Sequence, residues 1–348
     1  MDPAAVRRVL FVRPRYLGDI CLTLPAVDAA RAACPQARFG YVVEEASAPL
    51  IAGDPRFDEV FVTQFGASLV ETATLVRRIR AFAPDVVFDC FCNPRTAVWT
   101  ALSGARVRVG YPDKGWRSGV YTHHVRPRTL SAVGFHLTSI ARLGWPAADR
   151  TPRLHVAPAA RTEAERELTH LGAPRGAELV GFHPGARWPT RRWHAERFRE
   201  LIRRYLEGRP DGVALVTGAG SERDLIEEIR RGLPPERVLA VAGWPLDRFV
   251  ALQSRCAAFV SGDTGPLHTA VAAGAPTLAL MSRNSPAMFF PYDPAGGHVA
   301  YYARAECSPC HRDECEDLRC LKRLTVDGVW TRLAAMLVRA GSPALRTS

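Results

Sequence analysis

Four short loops bring together residue types that can move a proton or hold a phosphate. Residues 13–19 (RPRYLGD) place Gly18 and Asp19 at the start of a helix, with Gly18 allowing a tight turn and the Asp19 carboxylate placed to act. Aspartate is also a preferred N-cap, and read from this loop alone Asp19 is a cap that accepts backbone N–H bonds. Residues 183–193 (HPGARWPTRRW) follow an apolar run and precede a helical one, so that Gly185, the backbone donors, Arg191 and Arg192 could receive a phosphate. In the alternative, the arginines are solvated and Trp188 and Trp193 anchor packing. Residues 217–222 (TGAGSE) form a Gly-containing turn of a common kind that ends in Glu222. The fourth loop, residues 260–268 (VSGDTGPLH), is the most specific: a Gly262-Asp263-Thr264-Gly265 turn opens directly into a helix of small residues. Backbone N–H groups around Thr264 and Gly265 would supply partial positive charge to a departing diphosphate. His268 lies one turn further in, where a histidine is either a hydrogen-bonded structural residue or a donor to that group.

Each loop follows a run that reads as a strand. Residues 8–13, 38–43, 59–63 and 85–92 are short apolar runs, and 20–34, 68–82 and 136–143 carry helical spacing. Residues 107–128, rich in Gly, Pro, Arg and aromatics, read as surface loops. A second alternation places strands at 178–183, 213–217, 238–242, 258–261 and 277–281, with helices at 195–207, 222–231, 246–255 and 266–273. Such patterning predicts parallel sheets covered on both faces. The Pro- and Ala-rich stretch 144–161 reads as the linker between two domains, 1–155 and 156–348, and a chain of 348 residues exceeds what one core of about 250 to 300 residues holds. The expected architecture is α/β, with two doubly wound Rossmann-like domains facing a central cleft and ligands at the carboxyl ends of the strands.

Composition restricts the partners. Lys plus Arg number 46 against 35 acidic residues, for a net charge of +11, which favours anionic partners without choosing among them. Only Lys114 and Lys322 are lysines, so the charge is almost all arginine. No zinc-finger, helix-turn-helix or RRM signature accompanies it, so nucleic acid is not the expected partner. No apolar run approaches the roughly 18 residues of a membrane span, and the first eight residues lack a secretory signal, so a cytoplasmic protein is expected. Cys307, Cys310, Cys315 and Cys320 form C-x2-C-x4-C-x4-C beside His311. Four thiols at this spacing could hold a structural zinc ion or remain reduced.

The order LGD with a helix containing Pro25, then HPGARWPTRRW, then SGDTGPLHTAVAAGAP, then the cysteine-rich segment 307–320, resembles glycosyltransferase family 9, the ADP-heptose:lipopolysaccharide heptosyltransferases. The likeness covers most of the chain and is weakest over residues 107–178. It implies a GT-B fold, an acceptor-binding first domain and a nucleotide-sugar-binding second domain. It further implies an inverting displacement that moves heptose to a phosphorylated lipopolysaccharide inner-core glycolipid, with peripheral contact to the inner face of an anionic inner membrane. Residue by residue, Asp19 would be the general base, and Arg191 falls where the family often has a lysine on the donor diphosphate, with Arg192 its neighbour. Glu222 matches an acidic position associated with the nucleotide ribose. Asp263 would hold sugar hydroxyls, while Thr264, Gly265 and His268 would line the diphosphate site. No DxD motif ends a strand, so Arg191 and the Thr264 helix end are expected to replace a divalent metal, with no cofactor for catalysis. A UDP-sugar transferase of surface polysaccharide assembly would share this fold and is the competing enzyme reading; a basic nucleic-acid-binding protein is the competitor from another class.

Overall fold

The computed structural model describes residues 1–112, 115–126, 129, 131–148 and 151–341. The chain divides into two compact units, the first ending at His155 and the second beginning at Val156. Among the described residues no helix is long and apolar enough to cross a membrane.

The first unit runs β1 (Arg8–Val12), α1 (Leu17–Ala33), β2 (Arg38–Glu44), β3 (Glu59–Thr63), α2 (Leu69–Phe82), β4 (Val86–Asp89), α3 (Pro94–Leu102), β5 (Val107–Gly110), β6 (His123–His124) and α4 (Ala132–Ala141). Its six strands are all parallel in the order β3-β2-β1-β4-β5-β6. Strand order reverses between β1 and β4, so the loop after β1 opens into the crevice where doubly wound sheets bind ligands. Val9, Leu10, Phe11 and Val12 are all buried, as a central parallel strand covered on both faces requires.

The second unit runs α5 (Pro158–His170), β7 (Glu178–His183), α6 (Ala195–Gly208), β8 (Gly212–Gly218), α7 (Arg223–Arg230), β9 (Val238–Ala242), α8 (Leu246–Gln253), β10 (Ala258–Gly262), α9 (Gly265–Ala272), β11 (Thr277–Met281), α10 (Pro286–Phe289), β12 (Val299–Tyr302), α11 (Arg319–Lys322) and α12 (Val326–Gly341). Its strands are also parallel, in the order β12-β11-β10-β7-β8-β9. Alternation along the strands splits the core into two layers. Val180, Phe182, Ala214 and Val216 pack on the α6 and α12 side, and Leu179, Val213 and Leu215 pack on the α5 and α8 side. Here the switch point lies between β7 and β10, the two strands that feed the 183–193 and 260–268 loops.

Two expectations need correction. Residues 107–128 are not simply surface loops: β5 and β6 extend the sheet and a 3-10 turn covers Gly115–Val120. Their four- and two-residue strands are too short to show a period. The stretch 144–161 is not linker throughout, because α5 begins at Pro158, where a first-turn proline is accommodated without loss of a helix hydrogen bond.

Candidate active site

In the first unit, the loop after β1 turns Arg13 back towards the first turn of α1. Asp19 is not the N-cap. It is the third helical residue, and its carboxylate reaches the Tyr16 backbone N–H only at 3.4 Å. The stronger contact is with Arg13, whose Nη2 lies 2.9 Å from Asp19 Oδ2, while Arg13 Nη1 donates to the Cys90 carbonyl at the end of β4. Burial draws the Arg13 pKa down, but the charge and hydrogen bond of Asp19 outweigh it and leave the guanidinium above its ordinary value. Asp19 remains partly accessible, with 30% of its side chain exposed, so the helix end, Arg13 and the sheet fix a carboxylate that a substrate can still reach. Arg13 also stacks over Phe91, and Arg15 over Phe65 at 4.4 Å. Beneath them Asp89 is buried and accepts from the Phe91 and Cys92 backbone N–H groups and from Tyr121 Oη, which fixes the loop that carries the Cys90 carbonyl.

In the second unit, Arg191 Nη1 donates to the Asp263 carbonyl at 2.8 Å and lies 3.7 Å from its Oδ2. Arg191 Nε is buried and has no hydrogen-bond partner among the described residues. Asp263 is only 3% exposed and accepts from Asn284 Nδ2, and His311 Nδ1 lies 3.0 Å from Asn284 Oδ1. An amide oxygen only accepts, so His311 donates from Nδ1 in this chain of contacts. His268 is buried, hydrogen-bonds Tyr292 Oη through Nδ1 at 2.9 Å and brings Nε2 to 4.0 Å from Asp263 Oδ1. Thr264 is the N-cap of α9, with its hydroxyl 3.1 Å from that of Ser261, and Gly265 is the first helical residue. Gly262 is required by contact: a Cβ there would overlap the Arg191 carbonyl oxygen.

The remaining candidates lie apart from this cluster or behave differently. The exposed Arg192 donates from Nε to the Ala186 carbonyl, which ties it to its own loop. Trp193 is a packing anchor, buried against Phe198 with its indole N–H on the Leu324 carbonyl. Glu222 accepts from the Ala219 N–H, and its carboxylate lies against Gly185, where a Cβ would overlap it. Gly18 forms no tight turn: it is buried as the second residue of α1 and has no positive φ. All four tail cysteines are free, with Cys307 exposed and Cys320 buried, and among the described residues no group of three or more His, Cys, Asp or Glu is placed to hold a metal ion. The tail instead braces the site. Cys310 N–H bonds the Arg283 carbonyl, and Thr190 Oγ1 donates to the Arg312 and Asp313 carbonyls. Sequence reasoning missed Arg13, Asn284, Tyr292 and the use of His311. Only Asn284 carried a usable signal, a polar residue just beyond the carboxyl end of β11.

Two parallel six-stranded Rossmann-like units with polar loops at their strand ends are the architecture of the GT-B fold. The sequence profile of glycosyltransferase family 9 (heptosyltransferase) matches residues 72–320, more than half of the chain, and the protein belongs to that family. Lipopolysaccharide heptosyltransferase 1 of Pseudomonas aeruginosa is 27% identical over 365 residues, covering 95% of this chain and 98% of the relative. Among solved structures, a family 9 glycosyl transferase from Veillonella parvula superposes with a TM-score of 0.84 at 19% identity, over 97% of this chain and 99% of that one. The ADP-heptose lipopolysaccharide heptosyltransferase II of E. coli superposes with a TM-score of 0.79 at 19% identity, over 96% and 100%.

Proposed function

We propose that this glycosyltransferase moves heptose from ADP-heptose to a lipopolysaccharide inner-core acceptor with inversion at the anomeric carbon. The observation that carries the reading is the Arg191–Asp263 contact at the α9 N-terminus, which gathers a cation, a buried carboxylate and backbone donors on one turn. Family membership and the names of the relatives support heptose and ADP as sugar and nucleotide.

In this mechanism the first unit binds the acceptor and the second the nucleotide sugar. Asp19 takes the proton of the acceptor hydroxyl, whose oxygen forms the new bond to the anomeric carbon. The bond to the diphosphate breaks and its electron pair leaves with ADP. Arg191 and the Thr264–Gly265 helix end meet the charge that develops there, and Asp263 orients sugar hydroxyls. His268, coupled to Tyr292, donates to the diphosphate, and Glu222 faces the ribose. A positioned base supplies about 10² to 10⁴ in rate, and orientation and charge stabilisation supply the rest. The enzyme works at the cytoplasmic face of the inner membrane on a lipid-anchored acceptor.

The test is transfer to an inner-core acceptor truncated before heptose, with ADP-heptose and UDP-sugars compared as donors and the product followed by mass. A product one heptose heavier, formed from ADP-heptose alone, is expected. Transfer from a UDP-sugar alone would replace this reading with polysaccharide assembly.

A further inference from the structure

More than half of the exposed large apolar side chains among the described residues fall in one stretch of the chain. Of those among the described residues, Val62, Phe65, Leu69, Val70, Val98 and Leu102 belong to the stretch from β3 to α3, and Leu69 and Val70 are 88% and 76% exposed. Leu69, Thr72, Ala73 and Val76 of α2 and Leu102 of α3 line a single shallow groove with Arg77 and Arg80, and Val98 lies one helical turn before Leu102. At the near end, Arg95 Nη2 donates to the Gln64 carbonyl and fixes α3 beside the Phe65 loop. The helix itself is well anchored. Ser68 and Glu71 cap it reciprocally, and Leu75, Val76, Ile79 and Phe82 bury its inner side. Exposure of its first turn is therefore a property of a formed helix and not of a fraying end.

We propose that this α2–α3 face is where the enzyme docks on a bilayer of anionic phospholipid, with the first turn of α2 inserted among the headgroups and Arg77 and Arg80 against the phosphates. The proposal rests on the glycolipid-acceptor reading and names the surface that reading leaves open. Three observations choose the occupant. Apolar tips beside cations are the pattern by which a helix lies in a membrane interface. Among the described residues neither Arg77 nor Arg80 pairs with a carboxylate, and the single acid of α2, Glu71, is turned onto the Ser68 N–H at 2.7 Å. A second copy of the chain suits the face poorly, since a two-fold contact would gather the arginines of both copies in one seam that holds no acid of α2 to offset them. The face is also continuous with the candidate base: Phe65 stacks on Arg15, in the loop that leads into the α1 turn bearing Asp19. A lipid-anchored acceptor would thus reach Asp19 from the surface in which its acyl chains remain.

The experiment is flotation of the full-length protein with vesicles of phosphatidylethanolamine and phosphatidylglycerol, and with vesicles of phosphatidylcholine alone. Binding to the anionic vesicles that high salt weakens is expected. The double variant Leu69→Ser/Val70→Ser should float about tenfold less, by loss of apolar burial. Arg77→Gln/Arg80→Gln should lose about 30-fold at low salt. Both variants should keep the parent's melting temperature and affinity for ADP. Parental binding by both variants, or equal binding to neutral vesicles, would overturn the proposal, as would a dimer that the Leu69/Val70 variant dissociates without any vesicle binding by the parent. Transfer to a soluble, deacylated acceptor is measured in parallel. If that transfer is absent while flotation still depends on these four residues, the heptosyltransferase reading falls and the docking surface stands.

Discussion

Arg13 spans from the end of β1 to the first turn of α1, with one terminal nitrogen 2.9 Å from Asp19 Oδ2 and the other on the Cys90 carbonyl. The proposed base is thereby locked to the sheet and not to the helix alone. Arg13→Lys keeps the charge but cannot make both contacts at once. Loss of one charged hydrogen bond is about 1.5 to 3 kcal/mol, so kcat should fall roughly 10- to 100-fold with ADP affinity unchanged. Steady-state kinetics together with calorimetric titration of ADP would check this, and an unchanged kcat would remove Arg13 from the positioning of Asp19.

Asp19→Asn retains the shape of the helix end and removes the proton acceptor. Transfer should drop by about 10² to 10⁴ while ADP binds as before. A variant that turns over normally would show that another group takes the proton.

Arg191 and Arg192 are adjacent in sequence and differ in structure, one on Asp263 and the other on its own loop carbonyl. Arg191→Ala should weaken ADP binding by about 10-fold or more, the scale of one charge-assisted contact, and Arg192→Ala should change it little. Titration of both variants decides which arginine meets the diphosphate. Equal losses would mean that the Arg192 tether opens when donor binds.

Gly262→Ala places a methyl group against the Arg191 carbonyl oxygen. The overlap should destabilise the fold by about 1 to 3 kcal/mol and weaken ADP binding together, since the same backbone carries the guanidinium. Urea denaturation and ADP titration read the two effects; parental values in both would show that the 191 loop shifts freely.

Burial holds three histidines neutral: it pulls His136 down to about 3, and His183 and His298 to about 4. The unfolded chain binds protons at these residues near pH 6.5 and the folded chain does not. Their contribution to stability is therefore intact above about pH 6.5 and is lost as pH falls towards 4, at up to about 1.4 kcal/mol per unit for each histidine. Urea midpoints measured from pH 7 to pH 5 should fall, and His183→Gln should flatten part of the slope. A flat profile would contradict the buried neutral state.

The alternating runs of apolar strand and amphipathic helix were enough to indicate two Rossmann-like units, because burial on both faces of a parallel sheet leaves a pattern in local composition. The Gly262–Gly265 turn was legible for a related reason: small residues that let backbone and helix end come close recur at short spacing. Among the elements that were not legible are β5, β6, α3 and α5. The strands are too short to show a period, and the helices start in Pro-containing stretches that resemble linker.

Asp19, Arg191, Asp263 and His268 were visible as residues able to do chemistry, since charge and spacing within a loop are local properties. Their partners were not. Arg13 meets Asp19 because β1 turns sharply into α1, Asn284 meets Asp263 because β11 lies beside β10, and His311 joins them because the tail folds back across the strand ends. The tail shows the same: its cysteine spacing was legible, whereas the Cys310 N–H on the Arg283 carbonyl and the Thr190 hydroxyl on the Arg312 and Asp313 carbonyls were not. Sequence by itself determined which groups are present and which elements carry them. Only the tertiary structure decided which groups touch, because contacts between distant segments depend on strand order and side-chain direction, and neither is written in the residues nearby.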